Sequence, residues 1–213
     1  LYNAKTVLNY AAYEAARIGA VNYSHPEAMK LALAQKLAAL EPVPDEGNAY
    51  DTLVAQQEAF LAEQGAFNEL VKREGQPVRV ACIRRVNPPA DSKHFQTNTL
   101  APGTSKSIVN DHLLFRDATP VDGMSVQDAN LLKISVTYCP KMIVPIVSTA
   151  IKRLMLTEYH EADPDPIEGW EVPKTTPFEQ QCYQNNRFPM VAQALIRMQT
   201  PVGQYDYSDD DCE

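Results

Sequence analysis

The residues whose types could do chemistry are few: four histidines, four cysteines and one run of acidic side chains. The histidines are His25, His94, His112 and His160. A catalytic imidazole needs a group that orients it and a nucleophile or substrate within reach. Asp111 precedes His112, but neighbours in an extended segment point to opposite faces, so the carboxylate is badly placed to hold that ring. A thiol–imidazole pair of His112 with Cys139 or Cys182 is permitted by composition, against a disulfide or structural reading of the same cysteines. His25 is better explained by a helix start, and His94 by a polar loop.

A metal would look for His160, Glu161, Asp163, Asp165 and Glu168, the one cluster of that kind. Calcium takes several oxygens from one flexible loop. Here Pro164 and Pro166 stiffen the spacing, and the glycine and ligand periods of a helix–loop–helix calcium site are missing, so a solvated acidic loop is the better reading. Asp209, Asp210 and Asp211 near the C-terminus read as solubilising charge. The eight glycines form neither a dinucleotide fingerprint nor a phosphate loop. Asn22-Tyr23-Ser24 matches a glycosylation acceptor only formally. No catalytic residue, metal ligand or cofactor site is assigned, and a non-catalytic protein is expected.

Cys82, Cys139, Cys182 and Cys212 contain no C-x-x-C pair, which speaks against a zinc ribbon or a thioredoxin-like motif. They allow two disulfides in three connectivities, with free buried thiols as the other reading, and they lean toward an oxidising compartment. Acidic residues outnumber basic ones 27 to 19, for a formal charge of −8. Nucleic-acid binding is therefore not expected, because phosphate neutralisation needs clustered Lys and Arg. The nearest basic clusters, Arg84-Arg85 and Lys72-Arg73, read as solvated faces. Hydrophobic residues at 45% and charged residues at 22% are ordinary for a globular domain. No apolar run reaches the roughly 18 to 20 residues needed to span a bilayer. The sequence opens at Leu1 inside a helical pattern, without a basic-then-apolar signal, and reads as a fragment from which something N-terminal has been removed.

The elements that would position these residues follow from periodicity. Leu1, Ala4, Leu8, Ala11, Ala15 and Ile18 recur at helical spacing over residues 1–21, and Ala12, Ala16 and Gly19 widen the stripe with small side chains. A second helix is predicted over 24–40, with Ser24 and Glu27 at capping-box spacing and Pro26 in the first turn. A third is predicted over 49–73, capped by Asn48 and carrying Leu53, Phe60, Phe67, Leu70 and Val71, with Gly65 a weak point. From residue 77 the pattern alternates, predicting a strand to about 86 that Asn87-Pro88-Pro89 ends. Residues 90–107 read as a long polar loop and 112–116 as a short strand. Residues 131–139 form the clearest strand. A further helix is predicted near 145–158, a proline-rich exposed loop over 159–181, a last strand over 190–199, and a mobile acidic tail unless Cys212 ties it down. The fold class is α+β, with a helical region over 1–75 and an antiparallel sheet domain over 76–213.

Three segments resemble the TadE-like family of minor pseudopilins. Residues 1–19, LYNAKTVLNYAAYEAARIG, resemble the stretch following that family's membrane helix, with Tyr2, Leu8, Ala11, Ala12, Glu14, Ala15, Ala16, Arg17 and Gly19 in its characteristic places. Residues 128–145, DANLLKISVTYCPKMIVP, resemble its strand–Tyr–apolar–Pro segment, and 187–201, RFPMVAQALIRMQTP, its closing strand. The order is the family's own, and the matches span nearly the whole chain. The membrane helix with its processing site is absent here, and the helical insert over 20–75 and the loop over 159–181 depart from the family pattern.

The resemblance implies a pilin-like, non-catalytic subunit that helps assemble a tight-adherence (Flp-type) pilus of a bacterium, serving surface adhesion and biofilm formation. A missing N-terminal helix would anchor it in the inner membrane, with the soluble part in the periplasm or in the extracellular pilus. Its partners would be other pilus subunits and the assembly machinery. The helix over 1–19 would continue the membrane helix outward, and its face of Ala4, Leu8, Ala11, Ala12, Ala15, Ala16 and Gly19 would pack on neighbouring subunits, with Glu14 and Arg17 bridging on the helix or reaching across. If the last strand runs antiparallel to 131–139, Cys139 lies near Cys182 and Cys82 is left for Cys212. The rival pairing, Cys182 with Cys212, would close a loop around the final strand; the first is preferred. The alternative function is a membrane-anchored periplasmic binding or adhesion domain.

Overall fold

The computed structural model describes residues 2–37, 40, 72–73, 76–77, 81–140, 142, 176–207 and 212. The fold is α+β, helices first and small antiparallel sheets after them. Helix α1 spans Tyr2–Val21 and α2 spans Pro26–Leu37. Between them Tyr23 and Ser24 take left-handed backbone angles (φ 58° and 61°). The Ser24 N–H returns to the Gly19 carbonyl at 2.8 Å, closing the end of α1. Pro26 opens α2, where its missing N–H does no harm. The predicted capping box at Ser24 does not form. Its Oγ is engaged by the Tyr207 hydroxyl at 2.8 Å and by Arg85 Nη1 at 3.2 Å, while Glu27 pairs with Lys30.

Strand β1 (Lys72–Arg73) pairs antiparallel with β2 (Gln76–Pro77), so the end of the predicted helix over 49–73 is extended instead. The main sheet has the order β3-β6-β7, all antiparallel, with β3 at Ala81–Asn87, β6 at Leu131–Tyr138 and β7 at Met190–Arg197. Its register pairs Ala81 with Tyr138, and Tyr138 in turn with Met190. Side chains alternate across a strand, so one face of β6 carries Leu132, Ile134, Val136 and Tyr138, all buried. These meet Ile83 of β3, Ala192 of β7, the alanines of α1 and Met29, Leu33 and Leu37 of α2 in one core. The sequence regions 1–75 and 76–213 are thus layers of a single hydrophobic core where they are described.

Helix α1 lies along β7. Lys5 Nζ donates to the Val191 carbonyl, and the N–H groups of Gln199 and Thr200 donate to the Ala20 carbonyl at 3.0 and 3.2 Å. From Lys5 to Ala20 is about 22 Å of helix, and from Val191 to Gln199 about 26 Å of strand. The two therefore run in the same direction.

The stretch over 90–107 is less loop-like than its composition predicts. β4 (Gln96–Thr97), β5 (Lys106–Ile108) and, from the far end of the chain, β8 (Val202–Gly203) form a second sheet. Asn98 Nδ2 bridges the carbonyls of Gln96 and Ser107 within it. Residues 112–116 are not a strand. His112 is left-handed (φ 49°), Leu113–Phe115 form a 3-10 turn, and Arg116 closes it on Asp111 at 2.6 Å. Helix α3 (Val126–Ala129) carries a capping box of Ser125 and Asp128. Helix α4 (Pro177–Gln184) replaces the last part of the predicted loop over 159–181, because Thr176 and Glu179 cap each other reciprocally and Pro177 opens the first turn. The last strand stops at Arg197, short of 199. The rest of that loop, the predicted helix near 145–158, most of the helix over 49–73 and the acidic cluster around His160 lie outside the described residues.

Candidate functional site

The face of α1 expected to meet other subunits is turned inward. Leu8, Ala11, Ala12, Ala15, Ala16 and Gly19 are all buried, and Ala4 packs partly against the same core. Their small size brings the helix close to this chain's own α2 and β6 rather than to a second molecule. Gly19 shows how close. A Cβ there would lie 2.4 Å from Met29 Sδ and 2.9 Å from Leu132 Cδ2. What α1 presents outward is a different strip. Tyr2, Thr6, Asn9, Tyr10, Tyr13 and Arg17 share one helical face and are exposed, Tyr2 at 85%. Arg17 stands 3.5 Å from half-buried Glu14, an i,i+3 helix pair worth about 0.2–0.5 kcal/mol. Lys36 of α2 lies over the Tyr10 ring at 5.6 Å.

The cysteines pair as Cys139–Cys182 and Cys82–Cys212, with Cα separations of 5.9 and 5.7 Å. This is the preferred pairing; the 182–212 alternative is excluded. The first bridge ties the end of β6 to α4, and both bridges gather with Phe178 in a second apolar cluster. Arg187 reinforces the corner by donating Nη1 to the Cys139 carbonyl at 2.8 Å. Neither Cys139 nor Cys182 is left as a thiol, so the pairing with His112 that composition permits has no nucleophile.

Arg85 overturns the reading of Arg84-Arg85 as a solvated pair. Arg84 faces out, but Arg85 is only 8% exposed. Its Nη1 donates to Ser24 Oγ at 3.2 Å and to the Gly203 carbonyl at 3.0 Å. The guanidinium lies 4.6 Å from the Tyr207 ring and 5.5 Å from the Phe95 ring. Tyr207 donates its hydroxyl to the Ser24 carbonyl at 2.6 Å. Burial pulls the Arg85 pKa below its usual value, and Tyr207 opposes that pull. One buried cation thus joins the α1–α2 turn, β3, β8 and the C-terminal segment. Its Nη2 is buried without a hydrogen-bond partner. The signal for this burial was legible: Ala81, Ile83 and Arg85 fall on one face at period two.

The closing segment RMQTP gains a structural meaning. Met198 N–H donates to the Asn130 carbonyl, Gln199 and Thr200 cap α1, and Tyr23 N–H donates to Thr200 Oγ1 at 2.9 Å. Asn130, buried, donates Nδ2 to the carbonyls of Val109 and Val126. Among the described residues, no group of three or more His, Cys, Asp or Glu is placed to hold a metal ion. No described helix is long and apolar enough to cross a membrane. Comparison with protein-family models, curated proteins and solved structures finds no match.

Proposed function

We propose that this chain is the membrane-external part of a minor pseudopilin, a non-catalytic subunit in the assembly of a tight-adherence pilus. The observation that supports this is the meeting in space of the three family-like segments, which are far apart in sequence. Leu132 of the second segment packs on the Gly19 position of the first, and Gln199 and Thr200 of the third cap the first at Ala20. A long helix laid on an antiparallel sheet is the layout expected of a pilin-like subunit. Two disulfides suit an oxidising periplasm or cell exterior. The contact with neighbouring subunits falls to the outward strip of Tyr2, Tyr10, Tyr13 and Arg17, because the small-residue face is already occupied.

The test is co-purification of the full-length protein from a membrane extract with the other pilus proteins, beside pilus counts on cells lacking it. Replacing Tyr10 and Tyr13 with alanine removes exposed side chains, so it should leave the melting temperature nearly unchanged and reduce pilus number. Normal piliation in the deletion strain, with no pilus protein recovered alongside the chain, sinks the proposal.

A further inference from the structure

Among the described strands β7 is an edge of the main sheet, and its hydrogen-bond direction is fixed by two contacts. Met198 N–H turns inward to the Asn130 carbonyl beside β6, whereas the Val191 carbonyl turns outward to Lys5 Nζ. In an antiparallel strand these directions alternate, so Val191, Gln193, Leu195 and Arg197 aim their N–H and C=O groups away from the sheet. Among the described residues, no hydrogen bond other than the Lys5 contact takes up these outward groups. The side chains beside them are exposed, Val191 at 42% and Leu195 at 58%. Residues 190–196 carry no charge. Such an edge is a template for another strand, and proteins guard edges of this kind with lysine. Lys5 covers one carbonyl, and no other described residue bonds to the N–H and C=O groups of Gln193 and Leu195.

The charges around the edge specify the occupant. On the face of β6 and β7 opposite the main core, Lys133 lies opposite Leu195, diagonal to Arg197, and Lys5 stands at the other end of the strand. None of the three is ion-paired among the described residues, and that face of β3, β6 and β7 bears no carboxylate. Like charges at neighbouring sheet positions repel, and among the described residues no carboxylate pairs with them, although the chain as a whole carries −8.

We propose that the β7 edge is a strand-addition site for an extended acidic segment of a partner protein. The main chain of that segment bonds to Gln193 and Leu195, and its carboxylates meet Lys5, Lys133 and Arg197. Val191 and Leu195 supply the apolar contacts between. This holds whether or not the chain is a pilus subunit.

The probe is a short peptide alternating valine with glutamate, compared with its valine–lysine counterpart, on the disulfide-intact protein. Amide hydrogen exchange of Gln193 and Leu195 should be fast in the free protein and slowed by the acidic peptide. The acidic peptide should bind at least about tenfold more tightly than the lysine one, and lose that advantage as salt rises. Lys133→Glu with Arg197→Glu should reverse the preference. Gln193→Pro removes an outward N–H, a change an edge strand tolerates, and should abolish slowing at Leu195 with the melting temperature retained. Equal binding of the two peptides, or slow exchange at Gln193 and Leu195 without peptide, overturns the proposal. Protection that appears with protein concentration alone assigns the edge to a second copy and overturns it too.

Discussion

Replacing Gly19 with alanine sets two effects of similar size against each other. Gly19 lies in the last turns of α1, where alanine is favoured over glycine by about 1 kcal/mol. The added methyl would sit 2.4 Å from Met29 Sδ and 2.9 Å from Met29 Cγ and Leu132 Cδ2, in a site where Met29 and Leu132 are fully buried. Displacing packed neighbours costs about 1–3 kcal/mol. Gly19→Ala alone is therefore expected to destabilise by up to about 2 kcal/mol. Met29→Ala vacates most of the clashing volume, at a loss of about 2–5 kcal/mol by itself. In that background the new methyl partly fills the cavity, so Gly19→Ala should become stabilising by about 1 kcal/mol. Equilibrium unfolding in urea, with disulfides intact and slopes compared across the four proteins, measures the coupling. It should reach about 1–3 kcal/mol in favour of the double variant. A coupling under about 0.5 kcal/mol, or a Gly19→Ala variant more stable than the parent, refutes the close approach of α1 to Met29.

Four further outcomes follow from the described contacts. Replacing Cys139 and Cys182 by serine opens a bridge with a sequence separation of 43, and loop entropy puts the loss near about 4 kcal/mol; denaturation midpoints of the paired serine variant check this. Tyr207→Phe removes the hydroxyl's bonds to the Ser24 carbonyl and Ser24 Oγ but keeps the ring over Arg85, for a loss of about 1–3 kcal/mol. Arg85→Lys loses the planar fork over that ring and should unfold at distinctly lower denaturant than Tyr207→Phe. The hydrogen bonds that Ser125 donates hold the Asp128 carboxyl below its usual pKa. A depressed folded pKa contributes stability that is complete above the unfolded value of about 3.9 and is lost as pH falls through the folded one. Melting temperature measured from pH 6 downward should therefore drop less steeply below about pH 4 in Ser125→Ala than in the parent.

The parts that could be read from sequence are those whose burial repeats with a clean period. The alanine stripe of α1 and the alternation of Leu132, Ile134, Val136 and Tyr138 each specify an element and its inward face. The strand geometry of β6 and β7 in turn supports the cysteine pairing. The direction of the alanine stripe was legible, but its partner was not, since a small-residue face fits a neighbouring subunit as well as the chain's own sheet. Only tertiary packing on Met29 and Leu132 distinguishes them. β4, β5 and β8 run for two or three residues each, too short for any period to show. Ser24 illustrates a competition between local and distant partners: its spacing to Glu27 suits a helix cap, but Tyr207 and Arg85 engage its hydroxyl from the far end of the chain. Helix α4 was masked by its proline-rich approach, although Thr176, Pro177 and Glu179 together carry a helix-start signal.

The attachment of α1 to β7 at two points has a mechanical consequence. A pull along α1 meets Lys5 on Val191 at one end and the Ala20 carbonyl held by Gln199 and Thr200 at the other. Because helix and strand run the same way, such a load acts in shear, spreading over both fastenings and the alanine contacts between them. It does not open them one at a time, as peeling would. The load then passes from β7 into β6 through an unbroken ladder from Leu131 to Tyr138, and the Cys139–Cys182 bridge locks its far end covalently. Tension along the helix axis is thereby carried into the sheet without first unfolding the turn at Tyr23 and Ser24.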